Sequence, residues 1–390
     1  MISPAATDRA ARRPVFVAGL GLSSALGADL PVAVARLDAG DLPEPVRREL
    51  VPGEVWPHRP LAAPAMGDDW YGRARTEIVE VVAVSGAVPE PGAPLFIASS
   101  SIDIGVFECG ETAGPDGMHF GERVAGWLGW SGPVFWVSTA CTSAINALRS
   151  AQRMIEAGAA DSALVLGLEI DNRFSAAGFA GMQLLSPDRA RPLAADRDGL
   201  VLGEAVAAVW LRAGDAACKK NPATPLAGAP YVPGPRWRLC GGANVVDGRD
   251  PAGASATAVA AMARQALAAA GLRAGDIDLI KLQAAGSPHN DAVEIAGLRA
   301  VFAPLPVVCS LKPLLGHTLG AAGAAELALL LAALAAGVWP PPGGDVIDPA
   351  RAVTFADAAP ARRRYVMTII LGFGGGHAAL IFEDTQAAVA

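Results

Sequence analysis

The chain of 390 residues is poor in charge and in aromatic rings: 18% of its side chains are charged, 6% are aromatic, and only three are tyrosine. Low charge with 52% apolar content excludes a disordered chain, which needs the reverse to stay solvated. Clusters of basic residues are missing, and 31 basic against 38 acidic side chains leave a net charge of -7. That balance excludes nucleic acid as a partner, since affinity for phosphates comes from grouped Lys and Arg. Cysteines are few and scattered: Cys109, Cys141, Cys218, Cys240 and Cys309 form no CxxC pair and have no metal-ligand spacing with His. They read as free thiols of a reducing cytoplasm, with neither a disulfide framework nor a metal centre. No apolar run reaches the roughly 20 residues of a membrane span, so no membrane is expected.

What is present is an alternation of buried-strand and alanine-rich helical patterns, as parallel strands covered by helices on both faces require. Strand patterns fall at 94–98, 133–138, 162–166, 205–211, 279–282, 307–310 and 365–371. Between them, helices are expected over 142–157, 254–270, 291–302 and 320–336, where apolar residues recur every three or four positions. Arg12-Arg13 before PVFVAGLGL reads loosely as an export signal, but glycines break the apolar run. A first buried strand over Val15–Ala18 that turns at Gly19 and Gly21 fits better. The proline-rich stretch 214–238 is the best connection between two halves, 1–215 and 236–390, with 216–235 as the linker. Residues 43–70 are weakly patterned and read as loops.

Three segments carry chemistry. In PVFWVSTACTSAINALRSA a strand ends at Ser138 and a helix begins at or just after Cys141. A thiol at a helix N-terminus meets unpaired N–H groups and the positive end of the dipole, which favours the thiolate. A small buried cysteine is the competing reading. In VVCSLKPLLGHTLGAAGAAEL, His317 lies among glycines on a loop, where packing explains it poorly. It suits polarising a carbonyl or moving a proton, with Lys312 fixing a neighbouring charge. In IILGFGGGH the glycines 372, 374, 375 and 376 around Phe373 let backbone approach a ligand and offer N–H groups to an oxyanion. Gly19-x-Gly21 and Gly372-x-Gly374 lack the strand–helix context and distant acid of a dinucleotide site.

Together these segments resemble the β-ketoacyl synthase (ketosynthase) family of the thiolase superfamily. VFVAGLGLSSALG is similar to its first strand, STACTSAINAL to its nucleophile segment, and RPLAADRDGLVLGEAVAAVWL to its RPFDxxRDGFVxGEGA region. SLKPLLGHTLGAAGAAE is similar to SxKxxxGHxxGAAG, and LGFGGGHAALIF to the GFGG motif and last strand. In order and spacing, this covers about residues 14–384. The resemblance implies a five-layered αβαβα fold of two similar halves, usually dimeric across strands beside the nucleophile. It implies acyl transfer from an acyl carrier protein to Cys141, then decarboxylative Claisen condensation with a malonyl thioester. By the same motifs His317 would hold the malonyl carbonyl with Lys312 in support, and Phe373 would gate the nucleophile. The N–H groups of Cys141 and Phe373 would form the oxyanion hole, and Glu204 takes a buried acidic position.

One departure stands out. Where the family reads EAHGTGTPLGDxxE, this chain reads QAAGSPHNDAVE, which puts Ala285 at the first catalytic histidine and shortens the loop by two residues. Losing one preorganised donor costs about 10²- to 10³-fold in rate. His289, later in the loop, is the candidate replacement. Ala205 and His377 are smaller departures, where the family has Gly and often Asn. Three readings follow: a working synthase of fatty acid or polyketide synthesis; a partner subunit resembling a chain-length factor; and an acyltransferase that passes the chain to an alcohol or amine. No metal or redox cofactor is called for. The partners implied are an acyl carrier protein bearing acyl and malonyl groups, and a second ketosynthase subunit in a homodimer or heterodimer. An acidic carrier calls for a local basic patch, with candidates Arg197, Lys219, Lys220 and Arg236.

Overall fold

The computed structural model describes residues 12–61, 69–108, 117–170, 173–214, 236–248, 253–339, 347–348, 353–356 and 363–387. The first half runs β1 (Val15–Ser24), α1 (Leu30–Ala39), β2 (Val46–Val51), β3 (Glu54–Arg59), α2 (Trp70–Ser85), β4 (Leu95–Ala98), α3 (Ile104–Glu108) and α4 (Gly117–Leu128). It continues with β5 (Val134–Val137), α5 (Ser143–Glu156), β6 (Ser162–Glu169), α6 (Arg173–Gly181), β7 (Leu202–Gly203) and β8 (Ala205–Ala213). The second half holds β9 (Trp237–Val246), α7 (Ala256–Ala270), β10 (Leu279–Lys281), α8 (Asn290–Arg299) and β11 (Val307–Cys309). It ends with α9 (Lys312–Leu315), α10 (Ala322–Ala336), β12 (Tyr365–Gly372) and β13 (Gly376–Asp384).

Ten strands follow one another in the order β11-β10-β12-β13-β9-β1-β8-β6-β4-β5. Each end repeats the same plan. Three parallel strands (β5, β4, β6 or β11, β10, β12) are followed by two antiparallel ones, β8 and β1 or β13 and β9. The repeats meet where β1 pairs with β9, through Val15–Leu239 and Phe16–Arg238.

The helices make this a five-layered αβαβα structure. α2 and α4 cover the outer face of the first repeat in an apolar cluster with Ile78, Phe120 and Trp210. α7 and α8 cover the second with Val259, Ile295 and Met367. α5 and α10 lie between, each touching strands of both repeats. α10 is apolar on all sides because it is buried on all sides, and Glu326 is its one charged residue. The stretch Leu319–Ala336 has the length and apolarity of a membrane span, but 83% of it is buried inside the protein.

Two readings of the sequence need correcting. β1 does not turn at Gly19 and Gly21 but runs through them to Ser24. A Cβ at those positions would lie 1.8 Å from the Ser85 carbonyl oxygen and 2.1 Å from that of Val81, so the glycines are there for close approach of α2. Residues 46–59 are not loop but the hairpin β2–β3, joined to β7 in a small second sheet. Its turn carries Pro52 and Gly53, the latter at φ 79, which is turn chemistry the charged flanking residues obscured. The expected linker 216–235 lies outside the described residues.

Candidate active site

β5 delivers Cys141. The chain leaves the strand through Thr139 and Ala140, whose φ of 51 is unusual for a residue with a Cβ, and enters α5 at Ser143. Such a conformation costs about 1–3 kcal/mol and persists where the surroundings hold it. Here the Thr142 N–H donates to the Thr139 carbonyl at 3.3 Å, and the Ser143 hydroxyl donates to the Ala140 carbonyl at 2.6 Å. The turn sets Cys141 at the head of the helix, 4% exposed.

His317 comes from the other repeat. Its backbone is clamped to the first half, the N–H donating to the Val201 carbonyl at 2.7 Å and the carbonyl accepting from Gly203 at 3.1 Å. Gly203 has no room for a side chain, because a Cβ would lie 2.1 Å from the Leu315 carbonyl oxygen. So placed, the His317 Nε2 stands 3.0 Å from the Cys141 sulfur, while its Nδ1 is buried with no hydrogen-bond partner. Burial, aided by Lys312 and Lys281, holds the imidazole well below its ordinary pKa. Burial also pushes the Cys141 thiol up to about 11, although Lys312 and the backbone N–H groups of Phe373 and Cys141 pull the other way. The thiolate expected at the helix terminus is therefore not the resting form. Desolvation outweighs the dipole, and a neutral thiol faces a neutral imidazole.

Phe373 sits half-buried in a short 3₁₀ turn after β12, packed edge-on against Phe179 at 5.0 Å, and Phe179 in turn against His317 at 6.3 Å. Gly374 and Gly375 take φ of 78 and 73, and a Cβ at Gly375 would strike the Asp247 carbonyl oxygen at 1.8 Å. The cavity over the sulfur measures about 50 Å³, with Cys141, His317, Phe373, Gln283 and Ala285 among its walls. That is room for a few waters and too little for an acyl chain.

Lys312 lies buried behind the cavity wall and does not line it. Its ammonium donates to Glu326 Oε1, and Lys281 donates to Oε2 at 2.5 Å, all three side chains buried. The chain has only four lysines, and two of them meet here. The sequence reading missed Lys281 and Glu326. The signal was available, in a lysine inside a buried strand and the lone charge of an all-apolar helix.

The structure separates His289 from the site. It is exposed at the N-terminus of α8 and lines no part of the cavity. The shortened loop folds inward on its backbone instead: Asp291 accepts N–H groups of Leu193, Ala285, Gly286 and Ser287, and Glu294 accepts those of Gln283 and Ala284. Ala285, 3% exposed, is buried among them. Glu204 is buried and bound by Arg48, His58 and Arg73; burial opposes its charge, but the hydrogen bond from His58 and the two guanidinium groups hold its carboxyl below the usual range. His377 is buried against the Gly375 carbonyl at 2.6 Å.

Two of the basic-patch candidates are spent internally. Arg197 bonds the carbonyls of Ala194, Ser287 and Pro288, and Arg236 grips Asp384 with two nitrogens. Lys219 and Lys220, like Cys109 and Cys218, lie outside the described residues.

Fold and site together define a thiolase-like protein with a cysteine–histidine pair at the seam of two repeats. The chain belongs to the β-ketoacyl synthase family, matching its N-terminal domain over residues 117–217 and its C-terminal domain over 240–343. It is 33% identical over 218 residues to nodulation protein E of Rhizobium sp. (strain N33), covering 55% of this chain and 52% of that one. It is 31% identical over 283 residues to the actinorhodin polyketide putative β-ketoacyl synthase 1 of Streptomyces coelicolor, covering 68% and 58%. The matched regions thus span between half and two thirds of these relatives. In fold it is similar to a ketosynthase in complex with its chain length factor from Xenorhabdus doucetiae, with a TM-score of 0.73 and 23% identity over 99% of this chain and 100% of that one.

Proposed function

We propose that this protein is a β-ketoacyl synthase of fatty acid or type II polyketide synthesis. The observation that carries this is the 3.0 Å contact between the Cys141 sulfur and His317 Nε2, under Phe373 and beside two backbone N–H groups. An acyl carrier protein would present its thioester, and the Cys141 thiol would pass its proton to His317 as the sulfur attacks the carbonyl. The N–H groups of Cys141 and Phe373 suit the oxyanion, and the departing carrier thiolate recovers the proton from His317. Neutral resting partners suit this reading, since proton transfer occurs only as the bond forms. A malonyl thioester then loses carbon dioxide, its α-carbon attacks the acyl group, and the Cys141 thiolate leaves. Lys312, held in the buried cluster with Lys281 and Glu326, acts on the sulfur through its charge and so supports its anionic states.

β5 is an edge strand beside the nucleophile, with Phe135 39% exposed. We assign it the subunit contact, with a copy of this chain or another ketosynthase across it. The division into halves at 216–235 belongs to the same reading. Ala285 favours a second one, a partner subunit that shapes a chain for an active synthase and condenses little itself. Intact mass of the protein after incubation with acyl and malonyl carrier proteins, with carbon dioxide followed in parallel, separates them. A synthase gains one acyl group at Cys141, loses it in Cys141→Ala, and releases carbon dioxide. Activity seen only with an added ketosynthase, and surviving Cys141→Ala, establishes the partner subunit.

A further inference from the structure

The geometry points to Gln283 as the second carbonyl donor of the site, in the place left by the histidine that Ala285 lacks. This rests on the synthase reading. Beyond β10, alternate residues face alternate sides. Leu282 and Ala284 enter the outer apolar cluster of the second repeat, whereas Gln283 and Ala285 line the cavity over Cys141. Gln283 therefore emerges on the face from which a histidine at 285 would have projected, two residues earlier.

Three observations single it out. Gln283 is 8% exposed, and its side-chain carbonyl is buried with no hydrogen-bond partner. Its backbone is pinned by the 2.7 Å bond from its N–H to Glu294, so the side chain has a fixed root. The other carboxamide on the cavity wall, Asn290, has its oxygen fixed by the Ala254 N–H at 3.1 Å. A buried amide oxygen left without a partner is a cost, and turning the amide about its last bond relieves it by exchanging the oxygen for the NH₂ group. A half-turn of the amide presents either end, so the NH₂ group can donate to a thioester carbonyl as charge develops on it during loss of carbon dioxide. Unlike an imidazole, a carboxamide does not titrate and keeps its donors at every working pH. The cavity thus holds Cys141 for the acyl group, with His317 and Gln283 for the malonyl carbonyl.

The test uses the full chain, acyl and malonyl carrier proteins, intact mass for loading and carbon dioxide for condensation. Gln283→Leu keeps the size and removes the donor. The expected result is acyl loading at the wild-type rate and a 10²- to 10³-fold fall in carbon dioxide release from the loaded protein. Gln283→Leu with Ala285→His regains part of that loss, which shows that a donor and not the fold was missing. Gln283→Glu donates only when protonated, so its release rises as pH falls, a dependence that a packing role does not produce. Wild-type release from Gln283→Leu overturns the assignment while leaving the synthase reading intact. Loading without carbon dioxide in the wild type sinks the synthase reading, and the assignment with it.

Discussion

At the scale of single residues, the site is governed by desolvation. Cys141 stands where a helix terminus favours an anion, yet burial wins and its thiol titrates near 11. The direction is testable, because only the thiolate is alkylated. Iodoacetamide labelling at Cys141, followed by intact mass, should keep accelerating above pH 9, where an ordinary thiol has already levelled off, and approach its plateau only beyond about pH 11. Levelling near pH 8.5 shows that the thiolate is stabilised after all. The Lys281–Glu326–Lys312 cluster obeys the same physics. Removing its one anion in Glu326→Leu leaves two buried ammonium groups unpaired, and unfolding by urea should show a loss of about 3–5 kcal/mol. Replacing the partners as well, in Glu326→Leu with Lys281→Met and Lys312→Met, should recover much of the stability but not the synthase activity.

At the scale of elements, glycines mark where backbones come closest. Those in β1 admit α2, and Gly203 lets the His317 loop dock on β7. Gly375 combines a left-handed φ with an Asp247 carbonyl oxygen 1.8 Å from where a Cβ would stand. Gly375→Ala must pay the left-handed strain of about 1–2 kcal/mol and also push β9 from the β12–β13 turn. The expected outcome is a stability loss of at least about 2 kcal/mol in urea, with slower loading of Cys141 because Phe373 shifts with its turn. Unchanged stability and loading would show that the turn relaxes without moving Phe373. Gly374, with a similar φ but nothing near its Cβ, isolates the strain alone.

At the scale of the whole molecule, two repeats of one plan enclose a shared middle layer, and the Cys141–His317 pair sits on the seam. Cys141 comes from the first repeat and His317 from the second, so neither repeat carries the pair. The edge strand β5 leads straight into the Cys141 turn, which ties the proposed subunit contact to the proposed site. In light scattering after gel filtration, the protein alone should show twice its 39.6 kDa chain mass if it pairs with a copy of itself. Phe135→Lys should shift that species towards the monomer. A wild-type monomer that becomes a heterodimer only with an added ketosynthase places this chain in a mixed pair.

Although β9 and the helices α1, α2 and α4 were not marked, most strands of the large sheet, the helices α5, α7, α8 and α10, the Cys141 turn, the His317 loop and the glycine turn around Phe373 were legible in the sequence. Each is a local pattern, set by period, turn chemistry or a short motif, and local patterns survive in one dimension. The hairpin over 46–59 was less legible, because prolines and alternating charges hid a turn that Pro52-Gly53 nevertheless marked. What only the tertiary structure decided is everything that depends on distance across the chain. The salt cluster joins residues 281, 312 and 326, His289 falls outside the cavity, Arg197 and Arg236 are spent internally, and Gln283 faces the sulfur's cavity without a partner. Burial is a property of the packed whole, and burial set the protonation of Cys141 and His317, where helix-terminus reasoning alone gave the opposite sign for the thiol.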